Sequence, residues 1–207
     1  MILTISSQDA DLSDSIAVGL ANRRADAGRN VLLLCQKTQS DTTTLAGDRG
    51  LKYDGTLTSN SNWFATEMKA GAKPRDLADH QLADELVSSD SHYRDIVIDI
   101  PRLDNAYALA ILALSGFVLY VIQVATLDQS RRPNVVEQIK VLRECQPSLS
   151  ILIVVDEQYT SDGQALTALL KSQIPQLQFI TLSRIGELTI TELYRIIYLE
   201  SNLTQVA

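Results

Sequence analysis

Six short apolar runs alternate with six longer amphipathic segments, and this alternation limits the architecture more than any other feature of the chain. The strand candidates are 2–6, 31–35, 95–99, 117–124, 150–155 and 177–182; the helix candidates are 13–27, 74–88, 104–114, 132–145, 162–172 and 187–200. A short run that is apolar throughout needs cover on both faces, and a helix following each run supplies it. The pattern therefore predicts an α/β fold: a mostly parallel sheet between two helical layers. At 207 residues, 45% of them hydrophobic, the chain suffices for one core. We read 1–200 as one domain and 201–207 as a frayed end. The stretch 36–73 breaks the alternation. It is polar, carries Gly47, Gly50, Gly55 and Gly71, and is expected to hold a short hairpin or helix around Trp63.

Composition removes several function classes. The net charge of −7 argues against broad, charge-driven binding to DNA or anionic membranes and leaves only a local basic patch for such a role. Cys35 and Cys145 are far apart, with no CxxC and no histidine cluster, so neither a zinc site nor a disulfide framework is expected. Cys35 reads as a small hydrophobe in a buried strand. Reduced thiols suit the cytoplasm, and the first apolar run has no basic flank and is too short for a signal peptide. Residues 105–127 carry no charge and have the composition of a membrane span. Ser115-Gly116 divides them, however, into an Ala/Leu-rich half that favours helix and a β-branched, aromatic half that favours strand. No membrane span is expected.

In sheets of this kind ligands lie at the carboxyl ends of the strands. Here those ends are 6–13, 36–44, 99–105, 123–128, 156–161 and 183–186. The first has the strand–loop–helix–strand layout of a phosphate-binding P-loop. Yet Ser6–Ser15 contains no glycine and no lysine, and it holds Asp9, Asp11 and Asp14. A P-loop needs glycines so that backbone N–H groups can wrap phosphates, and a lysine to neutralise them. Carboxylates at a helix N-terminus are themselves favourable, and Asp11 or Ser13 is expected to cap the helix for about 1 kcal/mol. An oxygen-rich loop can also hold a divalent cation, but the spacing is not that of an EF-hand loop. Capping accounts for the aspartates more simply, and no metal is expected.

Four runs carry a family resemblance: Ser15–Ala21, Gly28–Leu34, Tyr93–Pro101 with its strand ending Asp99-Ile100-Pro101, and the helix-then-strand segment 106–124. In this order they resemble the ParA/MinD group of deviant Walker ATPases, which position plasmids, chromosomes, division septa and other cargo. The third run is the most specific; the others match in layout. The family loop reads Lys-Gly-Gly-x-Gly-Lys-Thr-Thr. Laid over this chain, its signature lysine falls on Gln8 and its glycine pair on Asp9-Ala10. Its third glycine falls on Leu12, its phosphate lysine on Ser13 and its magnesium-binding threonine on Asp14. The second strand of the family ends Asp-x-Asp-Pro; here it ends Cys35-Gln36-Lys37-Thr38. Asp99 alone of that set is kept, and it reads as a structural remnant.

The resemblance thus implies a P-loop-like fold, and the departures imply a member that neither uses ATP as a cofactor nor turns it over. The expected role is a non-catalytic positioning or scaffold protein in a partition, polar-localisation or surface-organelle and secretion assembly system. In the family, ATP closes a sandwich dimer through the signature lysine. Gln8 cannot supply that charge, so a homodimer, or a heterodimer with an active ATPase, would need other contacts. Two alternatives stay open: a partition-type ATPase that binds nucleotide weakly, and a DNA-binding partition accessory.

The remaining candidates each have two readings. Arg131, Arg132, Lys140 and Arg143 form either a basic edge for DNA or an acidic partner, or a solvated face interspersed with Glu137 and Glu144. Arg23, Arg24 and Arg29 pose the same choice. Trp63-Phe64, in a hydrophilic stretch, either plugs the core or contacts a partner. His80 and His92 read as surface residues, and the helix at 187–200 as a packing helix.

Overall fold

The computed structural model describes residues 1–7, 10–36, 44–45, 51–52, 63–69, 75–90, 92–100, 106–127, 132–146, 149–155, 159–175, 177–182 and 187–200. In chain order the elements are β1 (Ile2–Ser7), α1 (Ala10–Asp26), β2 (Val31–Gln36), β3 (Thr44–Leu45), β4 (Leu51–Lys52), β5 (Trp63–Glu67), β6 (Arg75–Leu77), α2 (Asp79–Asp90) and β7 (Asp95–Asp99). There follow α3 (Ala106–Leu114), β8 (Phe117–Gln123), α4 (Arg132–Cys145), β9 (Leu149–Val154), α5 (Thr160–Gln173), β10 (Gln178–Leu182) and α6 (Glu187–Tyr194), which runs on into a π-helical turn, Arg195–Glu200. Eight strands form one sheet in the order β10-β9-β8-β1-β7-β2-β5-β6, while β3 and β4 pair with each other. From β10 to β2 every neighbour is parallel; β5 and β6 add an antiparallel extension.

Side chains alternate across the sheet and define its two covered faces. Leu3, Ile5, Leu33, Val97, Leu119 and Leu152 pack beneath α1 and α6. On the opposite face Tyr120, Ile122, Ile151 and Ile153 lie beneath α4 and α5, and Leu32, Leu34, Ile96 and Ile98 beneath α2 and α3. Gly19 allows α6 to close on α1, since a Cβ there would sit 2.9 Å from Ile190. The last helix is a packing helix, with Leu193 and Ile197 fully buried.

The expected elements form with shifted ends, and the shifts have local causes. The predicted helix at 74–88 starts at Asp79, because Gln81 Oε1 accepts the Ala78 N–H (3.0 Å), one half of a capping box. Residues 75–77 pair with β5 instead. The uncharged 105–127 run splits at Ser115-Gly116 into α3 and β8, as expected. Gln146 Nε2 donates to the Leu112 and Ser115 carbonyls (2.6 and 2.7 Å), satisfying groups that the end of α3 would leave bare. Among the described residues no helix is long and apolar enough to cross a membrane. Gly28, at φ +79°, takes the left-handed conformation that ends α1. The frayed end expected at 201–207 lies outside the described residues.

Candidate functional site

The carboxyl ends of β1, β2 and β7 meet the start of α1, and this mouth is where a ligand of such a sheet would bind. Its dimensions differ from the sequence expectation. The loop between the expected strand 2–6 and helix 13–27 is shorter, because β1 continues to Ser7 and α1 begins at Ala10. Ser7 is held in the strand by its hydroxyl, which donates to the Val121 carbonyl (3.1 Å). Gln8 and Asp9 are the residues between the two elements and lie outside the described residues.

Neither expected cap stands at the helix end. Asp11 is the second residue of α1, and its side chain is outside the described residues. Ser13 is a turn inside the helix and fully buried.

Three side chains from three elements converge at the mouth. Cys35, next to last in β2, and Asp99, last in β7, are register partners on the α1 face. Both are buried, at 6% and 3% exposure. Asp14 reaches them from α1, with the Cys35 thiol 3.9 Å from its Oδ1. One ligand atom from each of the three lies within 4.8 Å of the others. A thiol and two carboxylates form a donor set of mixed softness, closer to what zinc accepts than to the all-oxygen shell of magnesium. Cys35 is buried in β2 within the core, as expected; what sequence reading did not give is its thiol's approach to Asp14 and Asp99. The available signal was register: neighbouring parallel strands set the residues near their carboxyl ends side by side.

The other candidates scatter. Trp63 and Phe64 are 1% and 4% exposed within β5, so they plug the core and offer no partner contact. The reason is that the hairpin expected around Trp63 forms as β5 and β6 and joins the main sheet through β2, which sets Trp63 in the core cluster with Leu77, Leu82 and Leu86. Lys140 pairs with Glu137 (2.8 Å), Arg143 is half-buried, and Arg132 opens α4 with its side chain outside the described residues. Arg131 also lies outside them. His92 is exposed, its Nδ1 2.9 Å from the Ser88 carbonyl; the His80 side chain is not among those described.

Arg24 and Arg29 take a structural role that the sequence reading missed. Arg24 Nε lies 2.7 Å from Asp95 Oδ2, and Arg29 Nε lies 3.5 Å from the same oxygen. The Arg24 guanidinium also lies 4.4 Å over the Tyr198 ring. Burial works against its charge, but hydrogen bonds to Asp95 and Tyr194 raise its pKa above the ordinary value. Burial, followed by the Asp95 charge, pushes the Tyr198 hydroxyl well above the ordinary tyrosine range. This network is at the opposite end of β7 from Asp99.

No protein-family model and no curated protein sequence matches the chain. Solved structures match it over nearly its whole length. Cobyrinic acid a,c-diamide synthase from Mycobacterium smegmatis, with a bound ATP analogue and magnesium, aligns at TM-score 0.63 and 16% identity, covering 93% of this chain and 92% of that one. The MinC:MinD cell division complex of Aquifex aeolicus gives 0.59 and 13%, covering 97% and 89%. A ParA family ATPase from Chlorobium tepidum gives 0.58 and 13%, covering 93% and 88%. At these identities the likeness concerns the fold, and it agrees with the four sequence runs that led to the same group. The chain has the fold of the ParA/MinD group of deviant Walker ATPases.

Proposed function

We propose that this chain is a ParA/MinD-like positioning or scaffold protein that does not bind or hydrolyse ATP and acts through protein–protein contacts. The systems that fit are partition, polar localisation, and surface-organelle or secretion assembly. One observation carries the reading: two residues, Gln8 and Asp9, separate the end of β1 from the start of α1. The first-turn N–H groups of α1 have no intrahelical partner, but wrapping a phosphate also takes a longer run of glycine-freed backbone between strand and helix and a lysine to neutralise the charge, and Ser6–Ser15 holds neither glycine nor lysine.

Charge supports the same conclusion. A triphosphate at this mouth would face Asp14 and Asp99 without either family lysine. A phosphate charge about 4 Å from one carboxylate is disfavoured by about 4 kcal/mol at an effective dielectric of 20. The synthase structure holds an ATP analogue and magnesium; the residues of this chain do not fit that pair. The Aquifex MinD structure is a complex with MinC, and partner binding of that kind is the role this fold would keep once nucleotide is lost. The second reading, DNA binding through α4, gains nothing from a lysine already paired with Glu137.

Phosphate release with millimolar ATP and magnesium is expected to stay at the no-protein background. Turnover above that background, abolished by Asp99→Ala, would overturn the proposal.

A further inference from the structure

The two edges of the sheet are finished differently. The β6 edge is three residues long and charged, with Arg75 paired to Glu85 on α2, which is how sheet edges are protected from pairing. The β10 edge, Gln178–Leu182, is five residues long and has neither charge nor proline. Among the described residues it pairs with β9 alone. The Leu182 carbonyl accepts the Val155 N–H (2.8 Å). Backbone polar groups alternate sides along a strand, so those of Ile180 also face β9, and those of Phe179 and Thr181 face outward. Phe179, Ile180 and Leu182 are only partly buried, in contrast to the fully covered centres of β8 and β9. Beside Thr181 runs a groove of about 520 Å³, roofed by Gly163, Thr167 and Ala168 of α5.

We propose that this edge is a self-association surface, where a second copy of the chain adds its own β10 antiparallel, centred on Ile180, to make one continuous sheet. A two-fold axis at Ile180 sets Phe179 of each copy opposite Thr181 of the other, so each pair exchanges both outward backbone hydrogen bonds. The Phe179 ring, on the α5 face of the strand, then enters the groove beside the other copy's Thr181. On the α6 face, Ile180 meets its counterpart, and Leu182 lies opposite Gln178 of the other copy. The occupant is a second copy because the same strand carries both halves of the fit: a half-buried aromatic knob, and a groove two residues further along on the same face. The assembly deepens the scaffold reading by naming a partner, and rests on it only in needing no nucleotide.

Sedimentation velocity of the full chain without nucleotide tests this, with a dimer expected. Thr181→Pro deletes an outward N–H and no bond within the protomer, a change that edge strands tolerate. It should weaken the dimer about tenfold or more with the far-UV circular dichroism unchanged. Thr181→Lys, which keeps the N–H but brings charge to the edge, should do the same and serves if the proline variant misfolds. A chain that stays monomeric throughout the micromolar range, or a dimer untouched by both variants, would overturn the edge assignment. A dimer that needs ATP and magnesium yet dissolves in Thr181→Pro would support the edge and overturn the nucleotide-free reading instead.

Discussion

Asp95→Ala should lower the stability of the chain by about 3–5 kcal/mol, the usual result of leaving a buried ion-pair partner uncompensated. Asp95 is 1% exposed at the start of β7, and Arg24 contacts both of its oxygens, at 2.7 and 3.4 Å. Without the carboxylate, the Arg24 guanidinium remains under the terminal helix, against Tyr198 and 3.3 Å from the Tyr194 hydroxyl, with nothing to balance its charge. The network joins α1, β7 and the last helix, so the loss is felt by the whole α1–α6 layer. At roughly 2–4 °C per kcal/mol for a chain of this size, the melting temperature should fall by about 10 °C. Asp95→Asn, which keeps some hydrogen bonding, should fall less. A loss below about 1 kcal/mol in the alanine variant would show that Arg24 finds water or another partner.

Trp63→Ala should be comparably severe, about 3–5 kcal/mol, because it opens a cavity in a filled core. Trp63 packs with Leu32, Leu34, Leu77, Leu82 and Ile98 between β5 and α2. Had it served a partner, truncation would leave stability nearly unchanged and reduce only binding. As the single tryptophan of the chain, it also reports on itself: the wild-type emission should be blue-shifted and move red on urea unfolding. Equal midpoints for wild type and variant would return Trp63 to the surface and undo the placement of β5.

How far the sequence was legible depended on whether local pattern or distant pairing set the structure. The central parallel strands were readable, because Val31–Cys35, Asp95–Asp99 and Phe117–Gln123 are apolar on both faces and need no other information. β5 and β6 were readable only as a short hairpin or helix around Trp63, not as part of the main sheet. Their place in the sheet comes from the antiparallel pairing of β5 with β2 across the long 37–62 segment, which no local period encodes. Ser13 misled for a related reason. Serine before an apolar stretch is a good start signal for a helix, but the helix begins three residues earlier and leaves the serine buried a turn inside it.

The same division holds at the mouth. The missing glycines and lysines could be read directly from Ser6–Ser15. That Asp14, Cys35 and Asp99 converge could not, since it depends on the register of β2 and β7 and on where α1 starts. Asp95 was hidden in the opposite way. It opens an apolar run and looks like a boundary residue, and only the fold brings Arg24, far away in sequence, against it.

The proposal that a triphosphate does not fit the mouth of this fold is tested most directly by titration calorimetry of the full chain with ATP and magnesium. It predicts no saturable heat up to millimolar nucleotide. A saturable, magnesium-dependent isotherm that disappears in Asp99→Ala would contradict it.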